Sequence, residues 1–130
     1  MKPTFAIALA LVCRDERWLV ARRRPHMHLG RLWEFPGGKV QAGETSVDAA
    51  LRELREECDM LADPLRTLAT VTYEYPDRIV QLTPVVCRWR TGEARALAST
   101  ECRWVSAAEL AELEMPAANA EIVRMLVPAD

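Results

Sequence analysis

Two apolar runs open the chain, Phe5 to Val12 and Trp18 to Ala21, on either side of the polar stretch Arg14-Asp15-Glu16-Arg17. Short apolar runs around a polar turn predict paired strands. A loop rich in His, Pro and Gly follows from Pro25 to Gly30, then a short apolar segment from Leu32 that ends in Pro36-Gly37-Gly38. From about Ser46 to Cys58 the period changes: Val47, Ala50, Leu51, Leu54, Cys58 and Leu61 form an apolar stripe at helical spacing. Leu65 to Tyr75 and Ile79 to Trp89 are β-rich runs separated by Pro76-Asp77-Arg78, a turn signal. Pro84 falls inside the second run, which predicts an edge strand or a bulge, because proline donates no ladder hydrogen bond. Thr91-Gly92-Glu93 predicts a turn and Arg103 to Val105 a short strand. Ser106-Ala107-Ala108-Glu109 predicts a capping box opening a short helix, and Asn119 to Leu126 a last helix. Strands alternating with two main helices, with no repeat or linker, predict a single α/β sandwich over residues 1–130.

Composition narrows the function classes. Half of the 130 residues are apolar, enough for a core without disulfides or a partner. The net charge of −2 and pI near 5.8, with the two signs interspersed, disfavour a nucleic acid polymer or an anionic membrane surface as partner. Cys13, Cys58, Cys87 and Cys102 are widely separated and form no C-x-x-C pair, which suits reduced thiols of a cytoplasmic protein rather than a zinc site. Lys2 followed by the run from Phe5 to Cys13 imitates a secretory leader. No small-x-small cleavage site follows and the run is too short to span a bilayer, so a buried first strand is the expectation. No segment distinguishes a monomer from a homodimer.

Glu53, Glu56 and Glu57 fall at i, i+3 and i+4 and so share one side of the predicted helix, beside its apolar stripe. Like charges so placed repel by a few tenths of a kcal/mol per pair, with Arg52 and Arg55 as the local relief. Alone, such glutamates describe a solvated helix face. A divalent cation would turn the repulsion into affinity, since Mg²⁺ takes oxygen ligands and keeps several waters. The flanks favour that second account: Gly37-Gly38 brings bare backbone close to a ligand, and Glu44 stands in the loop that returns to the helix.

The full constellation is Gly38, five residues, Glu44, seven residues, then Arg52-Glu53-Leu54-Arg55-Glu56-Glu57. It resembles the Nudix box, and a chance match of its six fixed residues is on the order of 10⁻⁷ per starting position at average composition. The resemblance implies a Nudix fold, a mixed β-sheet sandwiched between α-helices, whose loop-helix-loop holds Mg²⁺ or Mn²⁺ and cleaves nucleoside di- or triphosphates between phosphates. It implies Gly37 as a backbone carbonyl ligand, Glu56 and Glu57 as carboxylate ligands, and Glu53 as general base or a further ligand. Arg52 would orient the glutamates by ion pairing, with Glu44 beside it. Asp59 stands where the box has glycine, in a left-handed position that Asp tolerates at about 1 kcal/mol.

Further segments resemble the MutT branch of that family, which hydrolyses oxidised guanine nucleotides such as 8-oxo-dGTP to the monophosphate and pyrophosphate. They are Arg22-Arg23, Trp33 to Lys39, Tyr73 to Arg78, and Met115 to Asn119. By that resemblance Arg23, His28, Glu34, Phe35, Pro36, Gly37, Gly38 and Arg78 would line a nucleotide pocket, and Asn119 would read the purine edge through its paired donor and acceptor. Tyr75 suits a stacking contact or the core. Simpler roles stand beside these: Asn119 as a helix cap, Arg23 and Arg78 as surface residues, His28 as a loop histidine. The family's further metal-ligating glutamate matches Ala98 here, with Glu101 nearby to take its place. Two alternatives remain, a Nudix hydrolase of CTP, modified pyrimidine nucleotides or ADP-ribose, and a non-catalytic nucleotide-binding module.

Overall fold

Residues Ala8 to Val12 of strand β1 (Thr4–Arg14) are all buried, as expected of a strand covered on both faces. The computed structural model describes residues 1–126 and shows that cover. Along one edge β1 pairs in parallel with β7 (Ile79–Thr91), in a register running from Thr4↔Ile79 to Cys13↔Arg88. Along the other it pairs antiparallel with β4 (Gly37–Lys39) near its start and β2 (Arg17–Arg22) at its end. The β1–β2 turn places Asp15 at φ 49° and Glu16 at φ 63°, the positive values that a two-residue hairpin turn of type I′ requires. β2 pairs along its free edge with β8 (Glu101–Ser106), while β3 (Trp33–Glu34) pairs with its last two residues, Ala21 and Arg22. β5 (Leu61–Thr67) and β6 (Val71–Glu74) share the far edge of β7, completing one mixed sheet.

Alternation along β1 divides the core into two layers. Ala8, Ala10 and Val12 meet Ala50, Leu54 and Cys58 of helix α1 (Ser46–Cys58) on one face. Leu9 and Leu11 meet Leu110 of α2 (Ala107–Glu112) and Ile122 of α3 (Ala117–Leu126) on the other. This is the α/β/α sandwich expected from the sequence. Leu54 and Ile122 are wholly buried, so truncating either to Ala removes about 2–5 kcal/mol of stability. Among the described residues no helix is long and apolar enough to cross a membrane.

The helix signals were legible. Thr45 Oγ1 caps α1 by accepting from Asp48 N at 3.1 Å, and Ser106 and Glu109 form the predicted capping box on α2. Strand placement departs from expectation. β7 has neighbours on both edges, so Pro84 is buried in a central strand rather than at an edge. It sits where the partner of β7 changes from β5, whose pairing ends at Thr67↔Val85, to β6, whose pairing includes Val71↔Leu82. No ladder donor is needed in that gap, and the Pro84 carbonyl accepts from Leu68 N at 2.9 Å. The run from Leu65 to Tyr75 is accordingly two strands, not one. Leu61 belongs to β5 and is exposed, outside the helix stripe. α3 starts at Ala117, directly after Pro116, which puts Asn119 inside the helix and not at its cap.

Candidate active site

The Arg52 guanidinium organises the acidic face of α1. Its Nε and Nη2 donate to the two carboxylate oxygens of Glu44 at 2.7 and 3.0 Å, and Nη1 donates to Glu53 at 2.8 Å and Glu56 at 3.2 Å. Nη2 also reaches the Lys39 carbonyl at 3.1 Å, tying the helix to the end of β4. A planar fork with several donors suits this bridging task. The ion pair with Arg52 holds the Glu44 carboxyl below its ordinary range.

Glu57 is the inward member of the cluster. Burial, followed by a hydrogen bond and charge repulsion from Glu53, pushes its carboxyl up to about 10, with the Gly37 backbone N–H pulling it back. The glycines set how closely these groups pack. A Cβ on Gly38 would stand 2.6 Å from Glu53 Cδ and Oε1, and one on Gly37 would stand 2.2 Å from the Ala8 carbonyl oxygen. Glu53, Glu56 and Glu57 line one cavity with Gly37, Glu34, Arg23, Arg24, Met27 and Ala98. This donor set suits a hard divalent cation: bare backbone beside carboxylates whose repulsion a cation would relieve. Among the described residues no three acidic, His or Cys side chains close into a ready cage. An ion here would therefore use one or two carboxylates and leave positions for water and phosphate oxygens.

A second cavity opens beside the first and shares Arg23, Glu34 and Gly37 with it. Its walls are largely apolar, from Ile7, Leu9, Phe35, Val80 and Leu82, and its polar members are Arg23, His28, Glu34, Tyr75, Arg78 and Asn119. Arg23 Nη1 donates to both Glu34 oxygens at 3.1 and 2.9 Å, while its Nε donates to the His28 carbonyl at 2.8 Å. Burial raises the Glu34 carboxyl and the Arg23 charge opposes that rise. Asn119 is 5% exposed and its Oδ1 accepts from Phe35 N at 3.3 Å, leaving the second lone pair and the NH₂ donors for a ligand. Tyr75 Oη accepts from Ala118 N at 3.3 Å, and its ring stands edge-on to His28 at 6.0 Å. Arg78 pairs with Asp77 at 2.9 Å at the rim.

The structure thus gathers Arg23, His28, Glu34, Phe35, Gly37, Gly38, Tyr75, Arg78 and Asn119 around one space. Pro36 is corrected: it is buried behind the wall, where its carbonyl accepts from Ala10 N at 2.7 Å, and it lines neither cavity. Glu101 lines neither cavity. It pairs with Arg103 at 2.8 Å, while Ala98 itself faces the acidic cavity. Sequence reasoning missed Arg24 and Met27, although Arg24 extends the Arg22-Arg23 pair by one residue.

The family model described as the NUDIX domain matches residues 7–125. The chain belongs to the Nudix family. An 8-oxo-dGTP diphosphatase of Escherichia coli is 33% identical over 92% of this chain and 94% of its own length. A CTP pyrophosphohydrolase of the same organism is 37% identical over 58% of this chain and 56% of its own length. The crystal structure of a MutT protein from Methanosarcina mazei superposes with a TM-score of 0.85, covering 95% of this chain and 93% of that one at 23% identity, which supports the fold. The chain is a MutT-like Nudix pyrophosphohydrolase, and the Nudix helix is α1.

Proposed function

We propose that this Nudix enzyme hydrolyses 8-oxo-dGTP, or a related oxidised purine nucleotide, to the monophosphate and pyrophosphate, and so cleanses the nucleotide pool of the cytoplasm. The observation that carries the reading is the continuity of the two cavities through Arg23, Glu34 and Gly37. A base in the apolar space, facing Asn119, directs its phosphate chain to the glutamates of α1. The relative named 8-oxo-dGTP diphosphatase, similar over most of both chains, supports this substrate class.

Mg²⁺ or Mn²⁺ would be held by Glu56, Glu57 and the Gly37 carbonyl, with Glu53 as a further ligand or as the base; when bound, the ion neutralises phosphate charge. The chain's own groups do the rest. Arg52 fixes Glu53 and Glu44 in place, and Asn119, anchored by Phe35 N, orients the base. His28, Tyr75 and Arg78 close the side of the base pocket.

The CTP pyrophosphohydrolase relative favours a second reading, a pyrimidine nucleotide in the same pocket. A panel of 8-oxo-dGTP, dGTP, CTP and ADP-ribose with Mg²⁺, run on native protein and Asn119→Ala, separates them. The expected result is preference for 8-oxo-dGTP in the native protein, lost in the variant. Preference for CTP, or selectivity that survives Asn119→Ala, would overturn the purine reading.

A further inference from the structure

The acidic cavity contains two arginines whose charges are in different states. Arg23 is neutralised by the bidentate contact with Glu34. Arg24 donates through Nη2 to the uncharged Leu97 carbonyl at 3.2 Å. A hydrogen bond to a carbonyl fixes a guanidinium without cancelling its charge, and four further N–H donors remain. Arg24 lines the acidic cavity and is absent from the walls of the base pocket.

Both ends of this contact are anchored. The Arg24 carbonyl accepts from Met27 N at 3.1 Å, which holds its backbone in the turn. Leu97 is held to α1 by its N–H donating to the Glu57 carbonyl at 3.0 Å. The Arg24 head therefore stands in the wall of the acidic cavity, tied through Leu97 to the end of α1, and outside the base pocket.

We propose that Arg24 binds the terminal phosphates of a nucleoside triphosphate and makes the site discriminate tri- from diphosphates. The inference rests on the reading that the base occupies the apolar cavity and the phosphates the acidic one. A diphosphate places one phosphate fewer beyond the base and gains less from a cation at the far end. Arginine suits this role because its planar donors match phosphate oxygens.

The test compares native protein with Arg24→Gln, which keeps donors for the Leu97 carbonyl but removes the charge, and with Arg24→Lys, which keeps the charge and loses the planar fork. Inorganic pyrophosphate binding is measured by calorimetry with Mg²⁺ present, beside kcat/KM for the tri- and diphosphates of one base. Arg24→Gln is expected to weaken pyrophosphate binding about tenfold and to lower kcat/KM for the triphosphate by a similar factor, mainly through KM. The diphosphate should change less than twofold, and Arg24→Lys should recover part of the loss. Equal losses on both substrates, or unchanged pyrophosphate binding, would overturn the proposal. Selectivity among bases is read separately, so failure of the 8-oxo-dGTP assignment leaves the chain-length result standing.

Discussion

The Glu53 carboxylate occupies the space where a side chain on Gly38 would begin, 2.6 Å from the position of its Cβ. Gly38→Ala must therefore displace either β4 or the carboxylate, and the carboxylate is the softer of the two. A misplacement of about 1 Å in a catalytic constellation costs on the order of 100-fold in rate. The variant should keep its circular dichroism spectrum and lose about that factor in kcat/KM. Turnover at the native rate would show that the packed pose of Glu53 is dispensable.

Arg52 bridges three carboxylates and a backbone carbonyl from one planar group. A lysine keeps the charge but cannot reach Glu44 and Glu53 together with fixed geometry. Groups that orient metal ligands typically account for about 10–100-fold in metal affinity or activity. Arg52→Lys should raise the Mg²⁺ concentration giving half-maximal activity by that order, while its melting temperature moves little. An unchanged Mg²⁺ titration would assign Arg52 to folding alone.

Glu57 gives the metal-free protein an inverted pH dependence. Its carboxyl is raised from the ordinary 4.5 to about 10, so between those values the unfolded chain is ionised while the folded site still holds its proton. The unfolded state then binds fewer protons, and stability falls as pH rises through that window. The lowered carboxyls of Glu44, Asp77 and Glu109 contribute stability that is already complete above their ordinary range, so they do not oppose the trend. Melting of chelator-treated protein should drop from pH 5 to pH 7, below the range where the Cys102 thiol, lowered to about 7 by its hydrogen bond with Cys58, adds stability as pH rises, and Glu57→Gln should flatten the curve. Added Mg²⁺ should stabilise more at pH 8 than at pH 5, because binding requires the ionised carboxylate. A metal-free curve that rises over this range would contradict the buried, protonated Glu57.

The acidic helix was legible because its signal is local: Gly38, Glu44 and Arg52 to Glu57 lie within one loop and helix, and spacing alone places their side chains. The caps at Thr45 and Ser106 were legible for the same reason. Pro84 was not, since its tolerance in a central strand depends on where β5 ends and β6 begins along the far edge of β7. Leu61 continues the helical period past Asp59, but the left-handed turn at that residue takes it out of the stripe. Pro36 shares a motif with four pocket residues, yet backbone pairing to Ala10 turns it into the core. Arg24 acquires meaning only through Leu97, 73 residues away, which no local pattern encodes.

Asp59 closes α1 with φ 54° and ψ 48°, a left-handed conformation, and its N–H donates to the Arg55 carbonyl at 3.0 Å. A glycine would keep that hydrogen bond and relieve backbone strain of about 1 kcal/mol. Against this, Asp59→Gly removes an ion pair with Arg95 at 3.4 Å, whose side chains are 58% and 63% exposed. Exposed pairs of this kind contribute about 0–1 kcal/mol and are screened by salt. The backbone term is therefore the larger, and the variant should melt about 2–5 °C higher with unchanged kcat/KM. The gap should widen in about 1 M NaCl, where the native ion pair is weakened and the backbone strain is not. A lower melting temperature at both ionic strengths would mean that Asp59 is unstrained at this position.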